Sequence, residues 1–301
     1  MKKMVLMLLC CLLCAACTKP PVKDTVTRPA VGKVEPKPEY ILYYHDYDNM
    51  DRGKREFTGK EVAVDPDYYK NKPLSRGDIV FFKNPEVHDS DLQLPEYSIS
   101  RVVGLPGERV KVEEGQIYIN GAKLETFYGG AHRGGGDLAE LKRVLEKEGI
   151  PDNMRENIKN VVEAFTKMLV KERTLQADQV FLVGDDWIRS ADSVLFGPVR
   201  VAGVVGKVLG YAEPPSVSAD TKRMSREEAL QAAKRLEPSP EAKWNAVQRM
   251  ELFDIHGQRY ARPVWTVTAV YPAGNKTVIR FDTFSGLRLS LGEMEPPGKE
   301  G

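Results

Sequence analysis

The sequence predicts a mainly β protein: an antiparallel β core interrupted by a helical hairpin and followed by a small α+β unit. Three observations predict it. Short strand-like runs bounded by Gly, Pro, Asn or Asp dominate from Glu39 to about Gly210. One stretch within them changes to helical spacing. After residue 213 a capped helix precedes three more strand-like runs. Composition agrees, because 42% hydrophobic and 29% charged residues in a 301-residue chain make an ordinary globular balance. Lys+Arg number 44 against 43 Asp+Glu, a formal net charge of +1. That argues against bulk nucleic-acid binding, which draws on a basic excess.

The chain begins as an address. Met1-Lys2-Lys3 is basic, Met4 to Leu13 is apolar, and Cys14-Ala15-Ala16-Cys17 supplies small residues. This is the order of a secretory signal. It resembles a bacterial lipobox, with residues 1–16 as the signal and Cys17 as the lipid-modified residue, although Cys14 stands where that pattern prefers Leu. The resemblance implies a lipid anchor at a membrane, and ~0.8 kcal/mol per buried CH₂ makes several acyl chains a firm one. Thr18 is not aspartate, so in a two-membrane bacterium the expectation is the outer membrane. All four cysteines (Cys10, Cys11, Cys14 and Cys17) lie in this segment. The rest of the chain therefore has no disulfide, thiolate metal site or thiol catalysis. Residues 17–38 hold Pro20, Pro21, Pro29, Pro36 and Pro38 with little apolar content, the composition of a semi-extended spacer.

Residues 39–212 form the β core. Its runs include Asp78 to Phe82, Arg101 to Gly104, Arg109 to Val112, Gln116 to Ile119, Val180 to Val183 and Val201 to Leu209. An insertion of about 129–178 breaks the pattern. Gly129-Gly130 and Gly134-Gly135-Gly136 are loop punctuation. Leu138, Leu141, Val144 and Leu145 then recur at helical spacing until Gly149-Ile150-Pro151. Asp152 is placed to cap a second helix whose stripe is Ile158, Val161, Val162, Phe165, Met168 and Leu169. A packed structural excursion is expected ahead of a mobile lid or docking arm.

Residues 213–224 read as a linker and 225–295 as the α+β unit. Ser225 and Glu228 make a capping box, and Pro238 and Pro240 follow the helix. Val264 to Tyr271, Thr277 to Asp282 and Leu287 to Leu291 read as strands. Pro272-Ala273-Gly274-Asn275 and Ser285-Gly286 read as turns.

Three boxes in the β core resemble those of type I signal peptidases. Arg76-Gly77-Asp78-Ile79-Val80-Phe81-Phe82 is similar to the family's Arg-Gly-Asp-Ile-Val-x-Phe. Ser100-Arg101-Val102-Val103-Gly104-Leu105-Pro106-Gly107-Glu108 is similar to Lys-Arg-Val-Val-Gly-Leu-Pro-Gly-Asp. Gly184-Asp185-Asp186 through Ser190-Ala191-Asp192-Ser193 is similar to Gly-Asp-Asn-Arg-x-x-Ser-x-Asp-Ser-Arg. The resemblance spans roughly Tyr44 to Tyr211. It implies a β-rich serine endopeptidase fold with a Ser–Lys dyad, in which desolvation lowers the lysine pKa so that it activates the serine.

Both reacting positions depart from that pattern. Asp48-Asn49-Met50-Asp51-Arg52 is the best counterpart of the Ser-Met-x-Pro box, with Asn49 at the serine and Arg52 at the proline. Ser100 stands at the lysine. An amide nitrogen is delocalised and no nucleophile, and a serine hydroxyl is no base near neutral pH. Ser190 matches the family serine that orients the lysine, Asp192 its structural aspartate, and Arg101 the arginine after the lysine. Val194 and Trp187 replace two family arginines. The expectation is a catalytically inactive homologue that binds exported peptides or an envelope partner.

The alternative is an active peptidase with a rearranged site. Ser75, Ser90, Ser98 and Ser100, with Lys70, Lys72 and Lys83, are the groups from which a dyad would be rebuilt. Thr58 is the sole Ser/Thr hydroxyl between Thr27 and Lys72. His45, His88, His132 and His256 show no metal-ligand spacing, and no cofactor is expected. The C-terminal run Phe281-Asp282-Thr283-Phe284-Ser285-Gly286 is similar to the Val-Asp-Ala-x-Thr-Gly-like turn of PepSY modules. That similarity implies a unit that binds or restrains other envelope proteins, or simply spaces them.

Overall fold

The computed structural model describes residues 19–86 and 94–289. The signal segment, Cys17, His88, Ser90 and the chain after 289 lie outside the described residues. Strands β1 (Ile41–His45), β2 (Lys60–Asp65), β3 (Ile79–Lys83) and β4 (Tyr97–Gly104) come first. A meander of β5 (Arg109–Glu113), β6 (Gln116–Ile119) and β7 (Ala122–Glu125) follows. Helices α1 (Leu138–Leu145) and α2 (Asp152–Lys167) precede β8 (Leu169–Thr174), β9 (Gln179–Val183) and β10 (Val204–Ala212). The last elements are α3 (Arg226–Leu236), β11 (Lys243–Ile255), β12 (Gln258–Val270) and β13 (Lys276–Asp282). The protein is mainly β, as its sequence implies.

The meander forms because alternation and turn chemistry agree. Arg109–Glu113 and Gln116–Ile119 bury alternate residues, the mark of a sheet with one face on the core. Glu114-Gly115 and Asn120-Gly121 join the strands with positive φ at both residues of each pair. Such turns match the strand twist and favour Asn and Gly. β8 pairs with β5, and Val22–Lys23 pairs in parallel with β7.

The larger sheet runs Val199–Arg200, β9, β4, β3, β10, β2, β1, β12, β13, Arg288–Leu289, with β11 paired on β12. The strands of the C-terminal unit therefore continue the core sheet: Arg259–Ala261 of β12 pairs in parallel with Ile41–Tyr43 of β1. A buried ion cluster sits at this join. Arg262 pairs with Glu61 at 2.5 Å and Asp282 at 3.6 Å, and Glu61 accepts the Ser216 amide at 2.5 Å.

Several local expectations change. Residues 19–38 do not stand free as a spacer. Besides the Val22–Lys23 pairing, Lys33–Val34 pairs in parallel with Tyr211–Ala212, and Asp24 accepts the Tyr128 hydroxyl at 2.5 Å. Backbone pairing to a sheet edge needs no apolar side chains, so composition did not signal it. Asp152 is the first residue of α2 rather than its cap; Pro151 holds that place without a side-chain bond. Met168 and Leu169 leave the helix, and Leu169 opens β8. The Ser225–Glu228 capping box forms in full. The long strand β11 has no counterpart in the sequence reading, because its half-exposed residues alternate poorly.

The insertion is packed. Phe165, Leu138, Leu141, Val161 and Met168 join the core of the meander and the end of β9. Phe165 meets Trp187 edge-on, with ring centroids 6.4 Å apart.

Candidate functional site

The three sequence boxes meet in space. Gly77 N donates to the Val102 carbonyl at 2.8 Å, and Val102 N to the Asp78 carbonyl at 2.8 Å. Arg101, buried on β4, donates two bonds to Asp185 at 2.8 and 2.6 Å and a third to the Gly77 carbonyl at 2.8 Å. Burial alone lowers a guanidinium's pKa, and Asp185 beside it reverses the shift, so Arg101 stays charged. One side chain thus ties the second box to the first and third.

The third box closes on the loop after β1. Asp186 N donates to the Asn49 carbonyl at 2.9 Å. The Ser190 hydroxyl reaches the same carbonyl at 3.2 Å and that of Asp186 at 2.7 Å. A Cβ on Gly184 would stand 1.8 Å from Ser190 Oγ and 2.6 Å from the Asn49 carbonyl oxygen. Only glycine lets these segments approach so closely.

Asn49 is 7% exposed and Ser100 fully buried. Asn49 Nδ2 donates to the Ile99 carbonyl at 2.8 Å, which fixes the loop beside Ser100. Asn49 Oδ1 and Ser100 Oγ have no hydrogen-bond partner, so no described lysine reaches either. The nearby lysines are engaged elsewhere. Lys70 pairs with Asp67 at 2.9 Å and Lys83 with Glu96 at 3.4 Å. Lys72 lies 4.3 Å from the Tyr68 ring centroid. Ser98 accepts from Asn84 at 2.8 Å, and Thr58 donates to the Tyr47 carbonyl at 3.0 Å. The structure brings Asn49, Ser100, Arg101 and Ser190 together and forms no serine–lysine pair among the described residues.

Asp192 caps the turn Ser193–Phe196 and accepts from Gly184 N at 2.8 Å and Val194 N at 2.9 Å. Burial outweighs these bonds and raises its pKa to about 6. Val194 provides no counter-charge. His45 is also fully buried, and desolvation lowers its pKa to about 4 against the opposing pull of Asp46, Asn49 and Asp48. Its Nδ1 lies 3.4 Å from the Tyr43 hydroxyl. His256 occupies a hairpin turn with φ of 54°. Among the described residues no cluster of His, Cys, Asp or Glu is placed to hold a metal ion.

Sequence reasoning named two further residues but gave neither a role at this site. Arg52, three residues after Asn49, and His132 both line a cavity of about 1090 Å³ between the loop after β1, the meander and α1. The signal for Arg52 was visible, a cation in place of the family's proline. His132 carried none.

This arrangement, a β core with its three boxes locked around the loop of Asn49, fits the signal peptidase class. The family described as "Signal peptidase, peptidase S26" matches residues 42–211, and the chain belongs to it. Signal peptidase I V of Bacillus subtilis is 31% identical over 150 residues, 50% of this chain and 73% of that protein. Signal peptidase I of Rickettsia prowazekii is 29% identical over 161 residues, 51% of this chain and 52% of that one. A crystal structure of a signal peptidase I from Enterococcus faecalis is 28% identical, covers 46% of this chain and 97% of its own, and has a TM-score of 0.27. No described helix is long and apolar enough to cross a membrane.

Proposed function

We propose that this chain is a catalytically inactive signal peptidase homologue that holds extended peptides without cleaving them. The observation that carries the reading is the pair Asn49 and Ser100. Both are buried at the site, and no described lysine is within hydrogen-bond reach of either side-chain oxygen. In a serine protease, loss of nucleophile or base costs roughly 10⁶ in kcat. Asn49 offers no nucleophile, and Ser100 offers no base to activate one.

Peptide capture by strand addition fits the sheet. On the β9 side, pairing with β4 stops at Arg101, so Tyr97–Ser100 has a single strand neighbour, β3. The Asn49 loop covers this edge, with Asn49 Nδ2 on the Ile99 carbonyl and both Ile99 and Ser100 buried, so an extended peptide adds along it through main-chain hydrogen bonds once that loop moves aside. Exported peptides or an envelope protein are the proposed partners. Cys17 is the proposed lipid anchor, placing the protein in the cell envelope, at the outer membrane where there is one. The PepSY-like unit is proposed to contribute a binding surface.

Titration of the full chain in detergent micelles with a fluorescent signal-sequence peptide tests the reading. The expected result is saturable binding with the peptide recovered intact. Absence of binding to any signal-sequence peptide would contradict it.

A further inference from the structure

The cavity beside the site holds an unusual set of unsatisfied groups. Arg52 Nη1, Thr126 Oγ1 and His132 Nδ1 are all buried, all without a hydrogen-bond partner, and all on residues lining this one space. Buried polar atoms are nearly always satisfied. These three lie behind the cavity wall, closed off from water, so a polar ligand group in the cavity satisfies them once their side chains turn toward it. His132 is only 5% exposed.

The charge of the missing group follows from Arg52. Among the described residues its guanidinium has no ion pair. The acids around it are committed elsewhere. Glu56 accepts the Arg52 backbone amide at 3.0 Å. Asp137 and Glu140 bond each other's backbone at the start of α1, both at 2.8 Å. Asp185 is bidentate to Arg101. The Arg52 guanidinium carbon lies 5.0 Å from the Phe127 ring centroid, which orients the plane from one side. A half-buried guanidinium without a counter-ion is costly and is relieved by an anion.

We propose that this cavity is a carboxylate-binding subsite in which Arg52 and His132 hold a carboxylate of the bound peptide. A planar guanidinium matches a carboxylate with two parallel bonds. Burial and the nearby Arg52 charge keep His132 neutral, and its Nδ1–H tautomer supplies one further donor. Lys54, Lys60, Lys123 and Lys142 also line the cavity, against Glu56, Glu114, Glu125, Asp137 and Glu140. The lining therefore carries no cationic excess, which suits a monoanion on Arg52 better than a doubly charged group such as phosphate. Leu124, Phe127 and Leu138 give the walls an apolar surface for the body that carries the carboxylate. The peptide as carrier rests on the proposed peptide-binding function. The anion site itself does not.

The test uses the full chain in detergent micelles and fluorescence polarisation. The probes are one neutral decapeptide with a free C-terminus, the same peptide amidated, and the amidated peptide with one internal Glu. A charge-assisted bidentate pair predicts that a carboxylate strengthens binding by about tenfold or more over the neutral amide. Arg52→Gln should reduce that preference to less than about twofold, with Arg52→Lys intermediate. A preference for the free acid alone assigns the terminal carboxylate. A preference restored by Glu assigns a side chain. Equal affinity for all three probes overturns the subsite while leaving peptide binding in place. If no peptide binds, the peptide reading fails and N-acetylalanine decides the subsite. A shift of the His132 imidazole NMR signals with N-acetylalanine, absent with N-acetylalaninamide and lost in Arg52→Gln, sustains it. No shift overturns it.

Discussion

Burial drives the charge of His45 and Asp192 in opposite directions. His45 falls from 6.5 to about 4, so the unfolded chain takes up its proton before the native state does. Its contribution to stability is complete above about pH 6.5 and is lost as pH falls toward 4. Asp192 rises from 3.8 to about 6, so the native state keeps a proton that the unfolded chain has released. That contribution is complete below about pH 3.8 and is lost as pH rises through 6. Each spans about 3 kcal/mol, and the two nearly cancel between pH 4 and 6. Asp192→Asn removes one of them. Urea denaturation should show the stability of the variant relative to the parent increasing by about 2 kcal/mol from pH 4 to pH 6. A pH-independent difference would contradict the buried, protonated Asp192. Motif position made Ser100, Ser190 and Asp192 candidates in sequence, and the best counterpart of the Ser-Met-x-Pro box added Asn49; the structure brings Asn49, Ser100 and Ser190 together. Arg52 and His132 were not legible as a pair. They are 80 positions apart and meet only after the meander folds back on the loop after β1.

At the scale of elements, α2 packs on the core through Phe165 and Val161, and Phe165 carries its aromatic contact with the third box. Phe165 is fully buried and packs on Trp187, which stands in the third box where the family has arginine. The exchange of a charged residue for an apolar one gives the insertion a docking point next to Asp185 and Asp186. Phe165→Ala should cost about 3–5 kcal/mol in urea denaturation, by loss of buried surface and a residual cavity. A cost below about 1 kcal/mol would mean that the helix is only loosely attached. Helical spacing gave both helices of the insertion, since four and more apolar residues recur on one face. Their ends were less legible, because Pro151 replaces a side-chain cap and Leu169 already faces the β5 ladder. Strand β11 escaped because an edge strand with both faces partly wet shows no clean alternation.

Across the whole molecule, one sheet joins what reads in sequence as two units. Parallel pairing between β1 and β12 is non-local, and no local pattern reports it. The Glu61–Arg262–Asp282 cluster lies under that join, and the Ser216 amide and hydroxyl bring the connecting segment to the same carboxylate. Glu61 belongs to β2 and Asp282 to β13, so a buried arginine spans the core and the C-terminal strands. A buried pair of this kind contributes more to geometry than to net stability, and breaking it leaves an uncompensated charge. The loop carrying Asn49 follows β1 directly, so the strand that receives the C-terminal unit also positions the site.

We infer that the scaffold of a signal peptidase is present in this chain and its two reacting groups are not. Cleavage of a secretory preprotein by the full chain in detergent micelles, run beside the double variant Asn49→Ser, Ser100→Lys, tests it most directly. The parent should not cleave the preprotein, and the variant should cleave it measurably. Cleavage by the parent protein would contradict it.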